Sequence, residues 1–235
     1  MLLAAGLGTR LKPITDHIPK ALVDINGKTL LQLNLEKLKS FGYNEVIINL
    51  HHFPEQIMAY LSKNKNFGMT IELSHEENIL NTGGGIKKAS WFLKGNAPVL
   101  IHNVDILSDL NFSELLDAHN RNQALATLAV SIRHTGRQLL FDKDYQLRGW
   151  ESTITGKQKF VGHETTGHNR FAFSGIQILS PAFFDLITEE GVFPIIDTYL
   201  RIAATHKILA FNHDPKNWFD VGKFDELELI KKRLK

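Results

Sequence analysis

Two glycines and two cations near the N-terminus have the types and spacing to bind phosphate groups. Residues 1–5 form an apolar run that is too short for a helix and stops at a glycine, which predicts a buried strand. Gly6 and Gly8 then allow a turn in which successive backbone N–H groups approach phosphate oxygens closely. Arg10 suits a bidentate phosphate contact and Lys20 a point contact. The stretch predicts a phosphate-binding turn, although glycine turns and solvated cations also occur without function.

The spacing of these glycines differs from the two familiar nucleotide motifs. A G-x-G-x-x-G fingerprint would need a glycine where the chain has Leu11, and the G-x-x-x-x-G-K-[ST] pattern does not occur in the chain. We therefore expect neither an ordinary dinucleotide fold nor a Walker-type site.

Composition is that of an ordinary globular protein. Hydrophobic residues make up 43% and charged residues 22% of the chain, and the net charge is 27 − 25 = +2, so we expect no nucleic-acid or membrane partner. The absence of cysteine excludes disulfides and thiolate metal sites and fits a reducing compartment. No apolar run reaches about 18 residues, and no signal peptide is expected. A cytoplasmic location is the resulting expectation.

Predicted strands and helices alternate from the N-terminus to about residue 132. Residues 45–50 and 98–102 are apolar runs typical of buried strands, Pro54 fits the first turn of a helix, and Asn111 fits a helix N-cap. This alternation predicts an α/β fold with a Rossmann-like, mostly parallel sheet flanked by helices. Ligands of such sheets bind beyond the carboxyl ends of the strands, where the Gly6 turn lies.

The second part of the chain has a different pattern. Residues 139–151 predict a hairpin, residues 153–170 a polar loop or flexible lid, and residues 171–179 a strong strand. Residues 224–234 predict an amphipathic C-terminal helix. No internal repeat or linker is present, which indicates a single domain.

The segment from Leu3 to Lys28 carries a long pattern, L-A-A-G-L-G-T-R-L-x-P-x-T-x-x-x-P-K-x-L-x-x-x-x-G-K. This pattern resembles the signature of the sugar-1-phosphate nucleotidyltransferases. Within that family, the chain is most similar to the short N-acetylmuramate-1-phosphate uridylyltransferases and to the mannose-1-phosphate guanylyltransferase-like group. The similarity extends over essentially all 235 residues.

The resemblance implies a GT-A-like fold with a small sugar-binding insertion in one domain over residues 1–235. Residues 1–132 would bind the nucleotide, and residues 133–235 would form the sugar-binding part and the C-terminal helix. The implied partners are an NTP and a sugar 1-phosphate, and the implied cofactor is Mg²⁺. We expect UTP with N-acetylmuramate 1-phosphate or a related hexosamine 1-phosphate, and GTP with mannose 1-phosphate is the alternative.

Residues 81–85, N-T-G-G-G, lie between a predicted strand and a helix predicted over residues 85–93. Three consecutive glycines lose much conformational entropy on folding, so the segment is either a floppy loop or a backbone ordered against a flat ligand. The resemblance implies that this loop borders the nucleobase. The implied nucleotide-binding residues are Ala4, Ala5, Gly6, Gly8, Thr9, Arg10, Thr82, Gly83 and Gly84.

Two acids fit a magnesium site. Asp105 follows a buried strand, where a carboxylate with substrate phosphates can hold Mg²⁺ or where an aspartate can stabilise a turn. Asp220 lies between Phe219 and Val221, a costly place for a carboxylate without a partner. The resemblance implies that Asp105 and Asp220 are the two metal ligands, although this chain has Val104 where the family usually has glycine.

A sugar site is implied in the strand around Gly175, where a glycine often marks close approach of a ligand or close packing. The resemblance implies that Asn103, Ser174 and Gly175 bind the sugar. The larger family members carry an E-K-P segment upstream that this chain lacks, and Glu151 and Glu164 are weak substitutes.

The resemblance implies four catalytic residues: Arg10, Lys20, Asp105 and Asp220. A metal-assisted glycosyltransferase is one alternative; it would use a D-x-D motif, which we do not expect here, and would release free NDP. A non-catalytic nucleotide- or sugar-binding regulatory module is the other alternative.

No zinc site is expected, because the histidine spacing lacks a third ligand. A monomer or weak homodimer is the expected assembly.

Overall fold

The computed structural model describes residues 1–163 and 167–233. Its α-helices are α1 (Leu30–Ser40), α2 (Pro54–Lys63), α3 (Asn81–Lys88), α4 (Ser90–Leu93), α5 (Phe112–Asn122), α6 (Ile195–Ile202) and α7 (Phe224–Arg233). Short 3-10 helices cover Thr9–Leu11, Ile14–Asp16, Lys20–Leu22, Lys65–Gly68, Pro181–Leu186 and Pro215–Asn217. Among the described helices, none combines the length and apolar composition that a membrane span needs.

The strands are short, apart from one strand that is eleven residues long. They are β1 (Leu2–Leu3), β2 (Asp24–Ile25), β3 (Lys28–Thr29), β4 (Glu45–Leu50), β5 (Thr70–His75), β6 (Val99–Asn103), β7 (Ile106–Ser108), β8 (Ala126–Ser131), β9 (Arg137–Phe141), β10 (Leu147–Ser152), β11 (Gln158–Phe160), β12 (Asn169–Leu179), β13 (Ile208–Asn212) and β14 (Trp218–Asp220).

The chain forms two compact units. The first unit comprises Met1–Ile79, His102–Asp109 and the described part of Asn217–Lys235. The second unit comprises Leu80–Ile101 and the described part of Leu110–Lys216. The functional division at residue 132 stays a prediction.

The first unit is built on a parallel sheet. In β1, Leu2 lies opposite both Ile48 of β4 and His102 of β6, and β4 also pairs with β5 in parallel. Every residue of β4 except Glu45 is buried, as expected of a strand covered on both faces. The predicted α/β class with its largely parallel sheet is confirmed.

A hairpin that was not predicted leads from the Lys20–Leu22 helix into α1. Its strands β2 and β3 pair antiparallel, and Asn26 and Gly27 between them have φ angles of 54° and 89°. Positive φ at both central residues is the type I′ geometry that Asn-Gly favours, so the N-G dipeptide was the available signal.

An apolar cluster in the first unit anchors the segments that carry the expected catalytic residues. It consists of Leu11, Val23, Ile25, Leu30, Phe219, Val221, Leu227 and Ile230. Leu11 directly follows Arg10, and Phe219 and Val221 flank Asp220. Because buried side chains are closely packed, the cluster fixes the backbone next to both charged groups.

The second unit combines antiparallel and parallel strands. β12 pairs antiparallel with β8 and β9, and β13 runs parallel to β8. The predicted hairpin over residues 139–151 is confirmed as β9 and β10. The predicted N-cap of α5 is also confirmed, since the Asn111 side chain accepts hydrogen bonds from the backbone N–H groups of Ser113 and Glu114.

The prediction of an irregular loop over residues 153–170 is wrong in part. β11 pairs with β10, with Gly149 opposite Phe160, and β12 already begins at Asn169. A three-residue polar strand has too few alternating side chains to produce a recognisable pattern. Residues 164–166 of the predicted lid, and residue 234 of the predicted C-terminal helix, lie outside the described residues.

His119 of α5 is buried and kept neutral by its surroundings. Its Nε2 and Nδ1 lie 2.9 Å from the hydroxyl oxygens of Ser180 and Thr127 respectively. Because the Ser180 hydroxyl donates to the Ala124 carbonyl oxygen at 2.8 Å, Nε2 carries the proton and Nδ1 accepts from Thr127. Burial lowers the pKa of His119 to about 4.

We expect His119 to cost the protein stability as the pH falls from about 6.5 to about 4, because the unfolded chain binds the proton first. Between pH 7 and pH 5, His119→Gln should therefore lose about 2 kcal/mol less unfolding free energy than the wild type. Urea unfolding at both pH values measures this difference. Burial also lowers the pKa of His102, to about 3. Because His102 is present in both proteins, its contribution to the pH dependence of stability cancels in the comparison. Parallel pH profiles would contradict the assignment.

Candidate active site

The turn after β1 is held in place by Thr15. Gly8 has a left-handed backbone with φ of 65° and precedes the Thr9–Leu11 helix. The Thr15 hydroxyl donates to the Gly8 carbonyl oxygen at 2.9 Å, and a Cβ on Gly8 would lie 2.8 Å from the Thr15 methyl carbon. Backbone angle and packing both require glycine at this position. Thr15 was not predicted as a site residue, although it is a fixed position of the N-terminal pattern.

Gly6 differs from Gly8 in its surroundings. No atom of the described residues would lie within 4 Å of a Cβ on Gly6, and both Gly6 and Leu7 are exposed. Ala4 and Ala5, just before them, are buried. Packing within the protein therefore gives no reason for glycine at position 6, and close approach of a ligand remains its expected role.

Two ion pairs join the four residues that we expect to be catalytic. The Lys20 ammonium group pairs with the Asp105 carboxylate, and the Lys20 side chain is only 9% exposed. The Arg10 Nη1 atom lies 3.4 Å from the Asp220 Oδ2 atom, and the Arg10 side chain is 53% exposed. One pair is therefore largely buried, and the other opens to solvent.

The two acids come together because their segments pair. β7 and β14 run antiparallel, with Asp220 opposite Ile106, the residue after Asp105. The Val221 backbone N–H donates to the Asp105 carbonyl oxygen at 2.9 Å. Strand pairing thus places two acids that are distant in sequence at one edge of the first unit.

Three charged groups converge on Gly222. A Cβ on this residue would lie 2.6 Å from Arg10 Nη2, 2.6 Å from Asp220 Oδ1 and 2.8 Å from Lys20 Nζ. The Gly222 backbone N–H also donates to Asp220 Oδ1 at 2.9 Å. Only a residue without a side chain leaves room for this arrangement.

The turn that carries Asp105 is fixed by hydrogen bonds on both sides. The Val104 N–H donates to the Leu3 carbonyl oxygen at 3.0 Å, and its own carbonyl oxygen accepts from the buried Asn34 side chain at 2.8 Å. Val104 is buried and does not have a positive φ, so the turn does not need the glycine that the family usually has there.

The donor chemistry of this site fits Mg²⁺ only in combination with substrate. Carboxylate oxygens are ligands that Mg²⁺ prefers, and it commonly uses one or two of them together with phosphates and water. Among the described residues, no cluster of three or more His, Asp, Glu or Cys side chains is present. The assignment of Asp105 and Asp220 as metal ligands stays a prediction, and it requires that Lys20 and Arg10 release these carboxylates.

Comparison with known proteins places the chain in a family. A family model described as nucleotidyl transferase matches residues 1–139. The chain belongs to the nucleotidyl transferase family. N-acetylmuramate alpha-1-phosphate uridylyltransferase from Neisseria meningitidis serogroup B is 32% identical over 231 residues, which cover 94% of this chain and 92% of the relative. The resemblance to sugar-1-phosphate nucleotidyltransferases is thereby confirmed.

A second group of relatives in this family is longer. Mannose-1-phosphate guanyltransferase from Yarrowia lipolytica is 28% identical over 226 residues, which cover 95% of this chain and 60% of the relative. The chain thus spans about 60% of the length of the guanyltransferases that it matches.

The crystal structure of HddC from Yersinia pseudotuberculosis superimposes with a TM-score of 0.79 at 24% identity, covering 100% of this chain and 98% of that chain, and supports the predicted fold.

The helix predicted over residues 85–93 is confirmed except at Ala89, but the prediction that the glycine run before it is a loop is wrong, because the run is already helical. Residues 81–88 form α3, and a Cβ on Gly83 would collide with the Phe193 ring. A Cβ on Gly84 would collide with the Gly191 carbonyl oxygen. The glycines thus allow close packing of the segment around Phe193. A nucleobase contact of Thr82, Gly83 and Gly84 stays a prediction.

The residues expected to bind the sugar fall in different units. Asn103 ends β6 in the first unit. In the second unit, the Ser174 side chain is fully buried and lies 3.2 Å from Arg133 Nη1 and 2.8 Å from His213 Nε2. Gly175 has φ of 74° at an irregularity of the β12–β8 pairing, which by itself favours glycine. Their sugar-binding roles stay predictions.

Glu151 is the described one of the two weak substitutes for the glutamate of the E-K-P segment that this chain lacks. Its carboxylate accepts hydrogen bonds from two neighbouring side chains. Arg170 Nε donates to it at 2.8 Å and Gln158 Nε2 at 3.1 Å. Burial acts to raise the pKa of Glu151, but these hydrogen bonds together bring it below its usual value. Glu151 therefore remains an ionised hydrogen-bond acceptor at neutral pH. Glu164 lies outside the described residues.

Contrary to expectation, one D-x-D tripeptide is present, at residues 142–144. It lies in the turn between β9 and β10, where Asp142 Oδ1 accepts the backbone N–H groups of Asp144 and Gln146 at 3.0 Å. Asp142 Oδ2 accepts from Arg148 Nε at 2.7 Å. Burial acts to raise the pKa of Asp142, but its hydrogen bonds lower it. The tripeptide thus stabilises a hairpin turn.

Proposed function

We propose that this protein joins an NTP to a sugar 1-phosphate and releases pyrophosphate, with Mg²⁺ as cofactor. The observation that carries the proposal is the convergence of Arg10, Lys20 and Asp220 on Gly222, with Asp105 paired to Lys20. This arrangement brings together two acids, a residue type that can bind a metal ion, and two cations, a residue type that can bind phosphate. A phosphoryl transfer needs this combination, because its catalysis is mainly positioning and charge neutralisation.

In the proposed reaction, an oxygen of the sugar phosphate attacks the α-phosphorus of the NTP. The new P–O bond forms in line with the bond to pyrophosphate, which breaks, and no covalent enzyme intermediate is needed. Arg10 and the backbone N–H groups of residues 6–9 bind the β- and γ-phosphates. Lys20 neutralises charge at the attacked phosphoryl group. Mg²⁺ bound by Asp105 and Asp220 would supply further positive charge to the phosphate oxygens.

UTP with N-acetylmuramate 1-phosphate is the substrate pair that we favour. The support is the uridylyltransferase from Neisseria meningitidis, which is similar to this chain along 92% of its own length. GTP with mannose 1-phosphate is the second candidate, because the guanyltransferases match 95% of this chain. We further propose a cytoplasmic monomer or weak homodimer.

Pyrophosphate release with Mg²⁺ tests the proposal across UTP, GTP, CTP and dTTP against N-acetylmuramate, N-acetylglucosamine, glucose and mannose 1-phosphates. We expect release only when both substrates are present, and fastest with UTP. A glycosyltransferase would release no pyrophosphate in this assay and would release free NDP only when it is given a nucleotide-sugar donor. Tight nucleotide binding without pyrophosphate release on any pair would indicate a regulatory module.

A further inference from the structure

Asn49 lies where the first strand leaves the sheet. β1 ends at Leu3, which is opposite Asn49 of β4. The next residue, Ala4, donates its backbone N–H to the Asn49 side-chain oxygen at 2.7 Å. Asn49 is only 3% exposed, so water does not compete strongly for this bond. A side chain thus holds the backbone at the point where it turns towards Gly6.

Glu76 determines which way the Asn49 amide points. Asn49 Nδ2 donates to Glu76 Oε1 at 2.7 Å, and Glu76 is 1% exposed. Glu76 is itself fixed, since its N–H donates to the Leu50 carbonyl oxygen at 2.7 Å and its carbonyl oxygen is bound to His51 Nδ1 at 2.8 Å. The Ala4 N–H can only donate and a carboxylate oxygen accepts, so the amide oxygen of Asn49 faces Ala4 and its NH₂ faces Glu76.

We propose that Glu76 and Asn49 form a positioning pair that sets the backbone of Ala4, Ala5 and Gly6 for nucleotide binding. This inference rests on the proposed function. A buried carboxylate and amide are costly unless they are hydrogen-bonded, and this pair uses its bonds to orient the backbone before the phosphate-binding turn. Neither side chain needs to touch the nucleotide. Their loss should weaken NTP binding more than it slows turnover or weakens sugar phosphate binding.

An exchange of donor and acceptor tests the pair. Asn49→Asp places two carboxylates side by side and removes the NH₂ donor, so we expect the KM for NTP to rise about tenfold to a hundredfold. In the double variant Asn49→Asp with Glu76→Gln, the Gln amide donates to Asp and Asp still accepts from Ala4. The double variant has the same charge as the wild type and should return to within about threefold of its KM. The single variant Glu76→Gln shows how far the KM for NTP changes when only the carboxylate at position 76 becomes a neutral amide.

Two further measurements separate positioning from general stability. Thr127→Val removes a buried hydrogen bond to His119 in the second unit and should lower the Tm without changing the KM for NTP. Hydrogen exchange of the Ala4 amide should be slow in the wild type and the double variant and fast in Asn49→Asp. If Asn49→Asp cannot be purified, a double variant with a raised KM for NTP or fast Ala4 exchange overturns the proposal.

If all variants can be purified, an unchanged KM for NTP in Asn49→Asp overturns the proposal. A double variant whose KM for NTP is as high as that of Asn49→Asp overturns it as well. Failure of the proposed function has a different result, namely a wild-type protein that releases no pyrophosphate on any substrate pair. The Ala4 exchange rates would then still report whether Asn49 and Glu76 hold the backbone.

Discussion

Replacing Lys20 by alanine is expected to slow pyrophosphate release by about 10²–10³-fold, the typical cost of removing a donor aimed at developing charge. The Lys20 side chain is largely buried, pairs with Asp105 and lies next to Asp220 at Gly222. Because its charge is needed most in the transition state, the loss should appear mainly in kcat. Steady-state kinetics with both substrates varied measure the split between kcat and KM.

Lys28 provides a matched control for Lys20. Its Nζ lies 2.7 Å from Glu36 Oε2, and the two side chains are 48% and 39% exposed. Exposed ion pairs of this kind contribute about 0–1 kcal/mol to stability, so Lys28→Ala should remain folded. Because Lys28 is not among the expected catalytic residues, this variant should also keep the wild-type rate. Lys20→Met fills the same space without the charge and shows whether the effect of alanine comes from folding. A folded Lys20→Ala protein with wild-type turnover would remove Lys20 from the mechanism.

Gly222→Ala is expected to reduce activity by at least about 10²-fold while leaving the fold nearly unchanged. The new methyl group would lie within 2.8 Å of Arg10, Lys20 and Asp220 side-chain atoms, all of which are at the ends of movable side chains. These atoms can move away at little cost in stability, but a shift of about 1 Å in a reacting group can cost about 10²-fold in rate. The rate of pyrophosphate release and the unfolding free energy should therefore respond differently.

Gly95→Ala is the matched control for this substitution. Gly95 does not have a positive φ, and no atom of the described residues would lie within 4 Å of its Cβ. Gly95→Ala should therefore retain both activity and stability. A Gly222→Ala protein as active as Gly95→Ala would show that the three charged groups need not occupy their observed positions.

The parts of the site that are local in sequence were predictable. Gly8, Arg10 and Lys20 lie within one short pattern, and the strand ends at Leu3 and Asn103 show where the sheet presents its carboxyl edge. The pairing that joins Asp105 to Asp220 was not predictable from periodicity, because β7 and β14 have three residues each. The family resemblance supplied the link between these acids.

The errors arose where a distant residue decides the local conformation. The glycines of α3 have low helix propensity, yet they form a helix because Phe193 and Gly191 occupy the space where side chains would lie. The glycine at position 175 in β12 accompanies a positive φ at a strand irregularity, which no local pattern indicated. Asn49 and Glu76 were missed for the same reason, since their contact joins the ends of two neighbouring strands.

We expect Asp105 and Asp220 to exchange their cation partners for a metal ion when the nucleotide binds. A crystal structure with Mg²⁺ and a non-hydrolysable NTP tests this most directly. We predict one metal ion bound by both carboxylates, with Lys20 and Arg10 on phosphate oxygens beside the Gly6 turn. A bound nucleotide with Asp105 still paired to Lys20 and Asp220 still paired to Arg10 would contradict the claim.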